Sequence, residues 1–231
     1  MQVLVGTSGY SYKEWKGSFY PEDLKPDQML EYYSSKLKTV EINNTFYRMP
    51  KKELLQKWGS QVPDGFSFVL KAPSRITHKK RLEDCADEVG YLTGNALELG
   101  DKLGPMLFQL PPWFKKSADR LKAFVEILPD GWKAAFEFRH ESWFDDETYE
   151  ILRSRGVALA VSDGEKGDEP PVVPTAPYGY LRLRRPAYDE EQLQKWAQRI
   201  REQPWECAHV FFKHEDAGTG PRLAAKFEQL F

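Results

Sequence analysis

The chain has 231 residues, 41% hydrophobic and 29% charged, with 33 Lys and Arg against 35 Asp and Glu for a formal net charge of −2. That apolar share excludes a disordered or fibrous chain, and the near balance of charge excludes a general basic coat for nucleic acid while leaving room for a local basic pocket. Its aliphatic runs, residues 157–161 among them, are far shorter than a membrane span, so no membrane partner is expected.

The predicted elements run in order. Residues 3–7 form a first strand directly from the N-terminus, with no secretion leader ahead of it. Pro26 then opens the first helix. A second strand at 39–43 precedes helical periodicity over 52–58, and a third at 66–71 precedes a helix over 85–103. Strand 105–110 leads to helix 118–128 with Ser117 as its N-cap, and strand 134–139 leads to helix 145–155. After strand 157–162 the crossover 164–177 carries Pro170, Pro171, Pro174 and Pro177, which predicts an extended loop instead of a helix. Strand 179–184, a helix over 190–202 capped by Asp189, and strand 208–213 complete the series. Eight strand starts spaced about 29 residues apart suit one strand and one helix per step. Right-handed βαβ units in one series predict an α/β fold, a single (β/α)8 TIM barrel domain over residues 1–231. Cys85 and Cys207 are expected to be free thiols in a cytoplasmic protein.

Both faces of a parallel barrel strand are buried, so a polar side chain within one needs a reason. Val40 and Ile42 face the helices and turn Glu41 and Asn43 inward. Phe136 and Phe138 do the same for Glu137 and Arg139. The same alternation assigns Lys71, Gln109, Asp163, Arg182, Arg184 and Lys213 to the barrel axis. All lie in the C-terminal halves of their strands, the end at which barrel enzymes carry their sites. Five of these residues are basic and three acidic. Either they form a buried ion-pair plug, with Glu41 and Glu137 neutralised by Lys71 and Arg139, or the positive surplus binds a phosphate or carboxylate.

Aromatic residues gather in the loops at the same end. Tyr10, Trp15, Tyr47 and Trp143 are candidates for stacking on a sugar or base, and the alternative is that they cap the core. Gly218-Thr-Gly-Pro221, before the last helix, is a candidate phosphate loop. His78 and His140 follow the third and fifth strands and are candidate acid/base groups. No HxH, HExxH or CxxC spacing occurs, so no cofactor is expected beyond a weakly held Mg²⁺ on Glu41, Glu137 or Asp163.

Several blocks, in this order, resemble the DUF72 family of YecE-like proteins. They are GTSGY at 6–10 with Trp15, Gly17 and Phe19-Tyr-Pro21, VEINNTFY at 40–47 with Pro50, and residues 66–72 with Ile76-Thr-His78. GPMLFQLPP at 104–112 and FEFRHESW at 136–143 follow. The resemblance implies a TIM barrel with a distant fold likeness to endonuclease IV and xylose isomerase. It carries over most firmly to Glu41, Asn43, Lys71, His78, Gln109, Glu137 and Arg139. Two loops depart from it. The family tends to read Arg-x-His-Gly where this chain has Arg182-Leu-Arg-Arg-Pro186, and Asn-Asn where it has Phe212-Lys-His-Glu-Asp216.

Two functions are expected. In the first, the chain is an enzyme of hydrolase, phosphodiesterase or isomerase type acting on a phosphate-bearing sugar or nucleic-acid-like substrate. Glu137 or Glu41 is then the base, Lys71 and Arg139 hold developing negative charge, and His78 or His140 supplies a proton. Tyr10, Trp15, Asn43, Tyr47, Gln109, Trp143, Asp163, Arg182 and Lys213 are the binding residues. In the second, the same mouth captures a nucleic acid or another anion without turnover.

Overall fold

The computed structural model describes residues 1–48, 50–164 and 170–231. Eight strands form one sheet in the order β3-β2-β1-β8-β7-β6-β5-β4, and every pairing is parallel. In chain order these are β1 (Gln2–Ser8), α1 (Met29–Ser34), β2 (Thr39–Ile42), α2 (Lys52–Ser60), β3 (Ser67–Leu70), α3 (Ala86–Ala96), β4 (Met106–Gln109) and α4 (Ala118–Glu126). They continue with β5 (Ala134–Glu137), α5 (Asp146–Ser154), β6 (Ala158–Ser162), β7 (Tyr178–Leu183), α6 (Glu190–Arg201), β8 (Cys207–Phe212) and α7 (Thr219–Glu228). The ring closes between β3 and β4 through two short bridges, Phe68 to Leu103 and Lys71 to Leu107. Gly104 makes that seam possible: a Cβ there would sit 2.5 Å from Ser67 Oγ and 3.1 Å from the Phe68 carbonyl, which accepts the Gly104 N–H at 2.8 Å.

Two buried layers follow from the alternation along the strands. Val5, Val40, Phe68, Phe108, Phe136, Leu181 and Val210 face outward and pack with helix residues such as Leu55, Leu92, Phe124 and Leu152. The lumen holds Val69, Leu107, Ala135, Ala158, Ala160, Tyr178, Tyr180 and Phe211. Three alanines on β5 and β6 leave the space that the two tyrosines of β7 and Phe211 fill, so the lower barrel is packed solid. Tyr178 also bonds across it, accepting from the Ala134 N–H at 2.9 Å and donating to the Ala134 carbonyl at 3.0 Å.

The expected elements and the observed ones differ in two places and agree in a third. Helix 85–103 stops at Ala96 and tightens into a 3₁₀ stretch over Leu97–Lys102, broken where Gly100 adopts φ 53°. Asp189 makes a full capping box with Gln192, but Ser117, at the N-cap position of α4, makes no capping hydrogen bond. After β6, no helix forms among the described residues, as the prolines predict. There Thr175 Oγ1 donates to the Val157 carbonyl at 2.7 Å and accepts from the Leu159 N–H at 2.7 Å, tying the crossover to β6. Residues 165–169 of that crossover lie outside the described residues. Cys85 and Cys207 are both free, and no helix among the described residues is long and apolar enough to cross a membrane.

Candidate functional site at the C-terminal mouth

Arg182, near the end of β7, is the hub of the inner layer and is only 2% exposed. Its guanidinium grips Glu41 of β2 bidentately, Nε to Oε2 at 2.9 Å and Nη2 to Oε1 at 2.8 Å. Its third nitrogen reaches Glu137 of β5 at 2.5 Å and Gln109 of β4 at 3.4 Å. Glu41 also accepts from the Tyr180 hydroxyl at 2.6 Å and from Asn43 Nδ2 at 3.2 Å, while Arg139 Nε donates to Glu137 at 2.9 Å. Burial, the largest single influence, raises a carboxyl group, yet Arg182 together with Tyr180 at Glu41 and with Arg139 at Glu137 outweighs it, and each acid is held below its ordinary value. Both glutamates are therefore ionised, with four donors on Glu41 and two on Glu137. Arg182 faces oxygens of both acids, the groups expected to serve as a general base or to hold a weakly bound Mg²⁺. No cluster of three or more His, Cys, Asp or Glu suited to a metal occurs among the described residues.

Above this floor opens a cavity of about 370 Å³, lined on its basic side by Lys71, Arg139, Arg182, Arg184 and Lys213. Asn43, Gln109, His78, Tyr12, Phe46, Tyr47 and the single acid Glu215 complete its wall. Leaving aside Arg184, which has a further partner, Lys71, Arg139, Arg182 and Lys213 exceed Glu41 and Glu137 beneath and Glu215 at the rim by one among the described residues. Lys71 follows β3 on fixed backbone, its N–H bonded to the Ile42 carbonyl at 3.1 Å and its carbonyl accepting from Thr45 Oγ1 at 2.6 Å. Its ammonium lies 4.3 Å from the centre of the Phe46 ring and, contrary to the expected pairing with Glu41, makes no hydrogen bond with either acid. Burial first, and then the nearby Arg182, bring its amine down to about 8. His78 sits on a π-helical turn, Arg75–Lys79, edge-on to the same Phe46 ring at 4.9 Å, and burial together with Lys71 lowers it from its ordinary value.

Several expected site residues lie elsewhere. Trp15 is fully buried among Tyr12, Phe19 and Tyr20. Trp143 is equally buried, stacked on Phe138 at 4.6 Å with its indole N–H on the Phe114 carbonyl at 2.7 Å. Both cap the core, because a flat apolar ring gains more from burial under a loop than from solvent. Tyr10 lines a neighbouring recess with Trp58 and Asn44, and of the four aromatic candidates Tyr47 alone borders the cavity, 83% exposed at its rim. His140 caps the short turn Glu141–Trp143, its Nδ1 accepting from the Ser142 N–H at 3.2 Å, and does not line the cavity. Asp163 points away from the axis: it accepts from the Arg184 N–H and the Tyr188 hydroxyl, each at 2.5 Å, and its neighbour Ser162 takes the inward position beside Arg182. Gly218 and Gly220 pack tightly against Ser18, Thr7 and the His214 carbonyl and do not border the cavity, so they permit close packing of α7. Tyr12, Phe46, Tyr180 and Glu215 were not among the selected residues. Tyr180 shares its face with Arg182 two residues on, so parity alone could have found it.

Fold and site together define a closed parallel (β/α)8 barrel with a basic cavity over an ion-paired floor at its C-terminal mouth. The profile described as "Protein of unknown function DUF72" matches residues 4–231, and the chain belongs to that family. A DUF72 family protein from Thermotoga maritima has a solved structure that matches with TM-score 0.87 and 31% identity, over 100% of this chain and 99% of that one. UPF0759 protein YecE of Escherichia coli is 32% identical over 129 residues, 55% of this chain. The chain thus spans about half the length of that relative, 47%. UPF0759 protein YunF of Bacillus subtilis is 26% identical over 90% of this chain and 86% of its own length.

Proposed function

We propose that the mouth is the active site of an enzyme for an anionic substrate bearing phosphate or carboxylate. The observation that carries this reading is the positive surplus of the cavity: Arg182 and its two glutamates form a closed floor, and Lys71, Arg139 and Lys213 rise above it. Cationic side chains gathered around one cavity favour an anion. With Glu41 and Glu137 engaged, proton transfer falls to His78 and Lys71, both of which lose protons more readily than usual. Exposed Tyr47, with Tyr12 and Phe46, supplies flat apolar surface for a sugar or base.

Capture of a nucleic acid or small anion without turnover is the second reading, favoured by the engagement of both carboxylates. Thermal melting in inorganic phosphate against chloride, at matched ionic strength, tests the anion site in either case. A ligand at a hundredfold excess over Kd stabilises by about 2.7 kcal/mol. Phosphate also stabilises folded chains generally, so the difference between wild type and Lys213→Ala is the readout. Wild type should gain more, and equal gains would overturn both readings.

A further inference from the structure

We propose that Lys71 is a nucleophile whose amine forms an imine with an aldehyde, ketone or 2-oxo acid carrying a phosphate or carboxylate. This rests on the anion-binding reading above and narrows the substrate to anionic carbonyl compounds. Three features of the site support it. The backbone of Lys71 is bonded at both its N–H and its carbonyl, so the side chain rises from a fixed strand end. Its Nζ lines the open cavity and has no hydrogen bond or ion pair with any described residue. Arg182 and Arg139 take the carboxylate oxygens of Glu41 and Glu137 that would otherwise hold it as an ammonium. An amine half-buried beside other cations, Arg182 above all, sheds its proton more easily, which is how lysine is activated for attack on a carbonyl.

The step balances without an oxidant or reductant. The Nζ lone pair adds to the carbonyl carbon as the C=O π pair moves to oxygen. That oxygen gains a proton and the nitrogen loses one, giving a carbinolamine. Protonation of its hydroxyl releases water while the nitrogen lone pair closes the C=N bond. His78, packed on the same Phe46 ring, is the side chain placed to relay these protons, and Arg139 and Lys213 are placed to receive the anionic group.

The test treats the whole protein near pH 7 with glyoxylate and sodium cyanoborohydride, with acetaldehyde in parallel, and maps modified lysines by peptide mass spectrometry. An amine at about 8 has a much larger unprotonated fraction than an ordinary lysine. Even after allowing for weaker basicity, Lys71 should be labelled on the order of tenfold faster than exposed lysines such as Lys25. Its preference should be greater for glyoxylate than for acetaldehyde, and inorganic phosphate should abolish that difference. Lys71→Arg, which keeps a cation in place, should lose the label and retain the phosphate-dependent gain in melting temperature. Labelling of Lys71 no faster than that of Lys25 overturns the imine, and the melting experiment then reports separately on the anion site. Equal preference for the two aldehydes, insensitive to phosphate, overturns the anionic substrate class.

Discussion

Replacing Arg182 by Met removes the one group that joins β2, β5 and β7 across the barrel, while keeping a long unbranched side chain in its place. Glu41 is left with Tyr180 and Asn43 as donors, and Glu137 with Arg139. Removing one partner of a buried ion pair costs about 3–5 kcal/mol because the other charge stays buried. In a chain of 231 residues, at about 2–4 °C per kcal/mol, that lowers Tm by roughly 6–20 °C. The pH dependence separates this cause from lost packing. In the wild type both carboxyls are held below their ordinary value, so their contribution is present above about pH 4.3 and is lost as pH falls through the folded value. Without Arg182, burial raises Glu41 above its unfolded value, so the variant binds protons on folding and loses stability as pH rises from about 4.5 to 7. Urea unfolding at pH 4.5 and pH 7 should therefore show a larger deficit at pH 7, and Glu41→Gln in the same background should recover part of it. A deficit below about 1 kcal/mol, or one unchanged with pH, would refute a dry ion-paired floor.

Thr175→Val leaves the Leu159 N–H and the Val157 carbonyl without their buried partner, and unfolding should show a loss of about 1–3 kcal/mol. His140→Ala removes a cap and should cost about 0.5–2 kcal/mol, with the phosphate-dependent gain in Tm unchanged. Trp143→Phe deletes the hydrogen bond to Phe114 and should cost about 1–3 kcal/mol, again with anion binding intact, whereas loss of that binding would place the residue back at the site.

The strands, their parallel order and the lack of a helix among the described residues of the sixth crossover were legible because they rest on local signals: β-branched runs, caps and four prolines. The inner layer was legible for the same reason wherever one face of a strand is polar, as with Glu41 between Val40 and Ile42. It failed at β6, where residues 157–161 are apolar on both faces. Alternation then carries no sign, and Asp163 was assigned to the axis when Ser162 holds that place. Partners across the barrel were not legible either. Parity says which way Arg182 and Lys71 point, but not that the longer, forked side chain would claim both glutamates and leave the lysine alone. The buried tryptophans were ambiguous for a different reason, since a loop that caps a core and a loop that stacks on a ligand use the same aromatic residues.

With Arg182 as the hub, the ion-paired plug is separate from the lysines above it. A guanidinium between two carboxylates carries a net charge of −1, and Arg139, bound to the outer oxygen of Glu137, neutralises it. The floor is therefore self-sufficient as a plug and needs nothing from Lys71 or Lys213. Those two lysines lie outside the floor, with Glu215 the acid that acts on Lys213 from the same wall. The same arrangement explains why Lys71 differs from a surface lysine. The acids that would hold its proton are spent on Arg182, while the positive edge of Arg182 faces it. Holding the floor together and loosening the lysine proton are thus two consequences of one arginine, and a neutral residue at 182 should undo both.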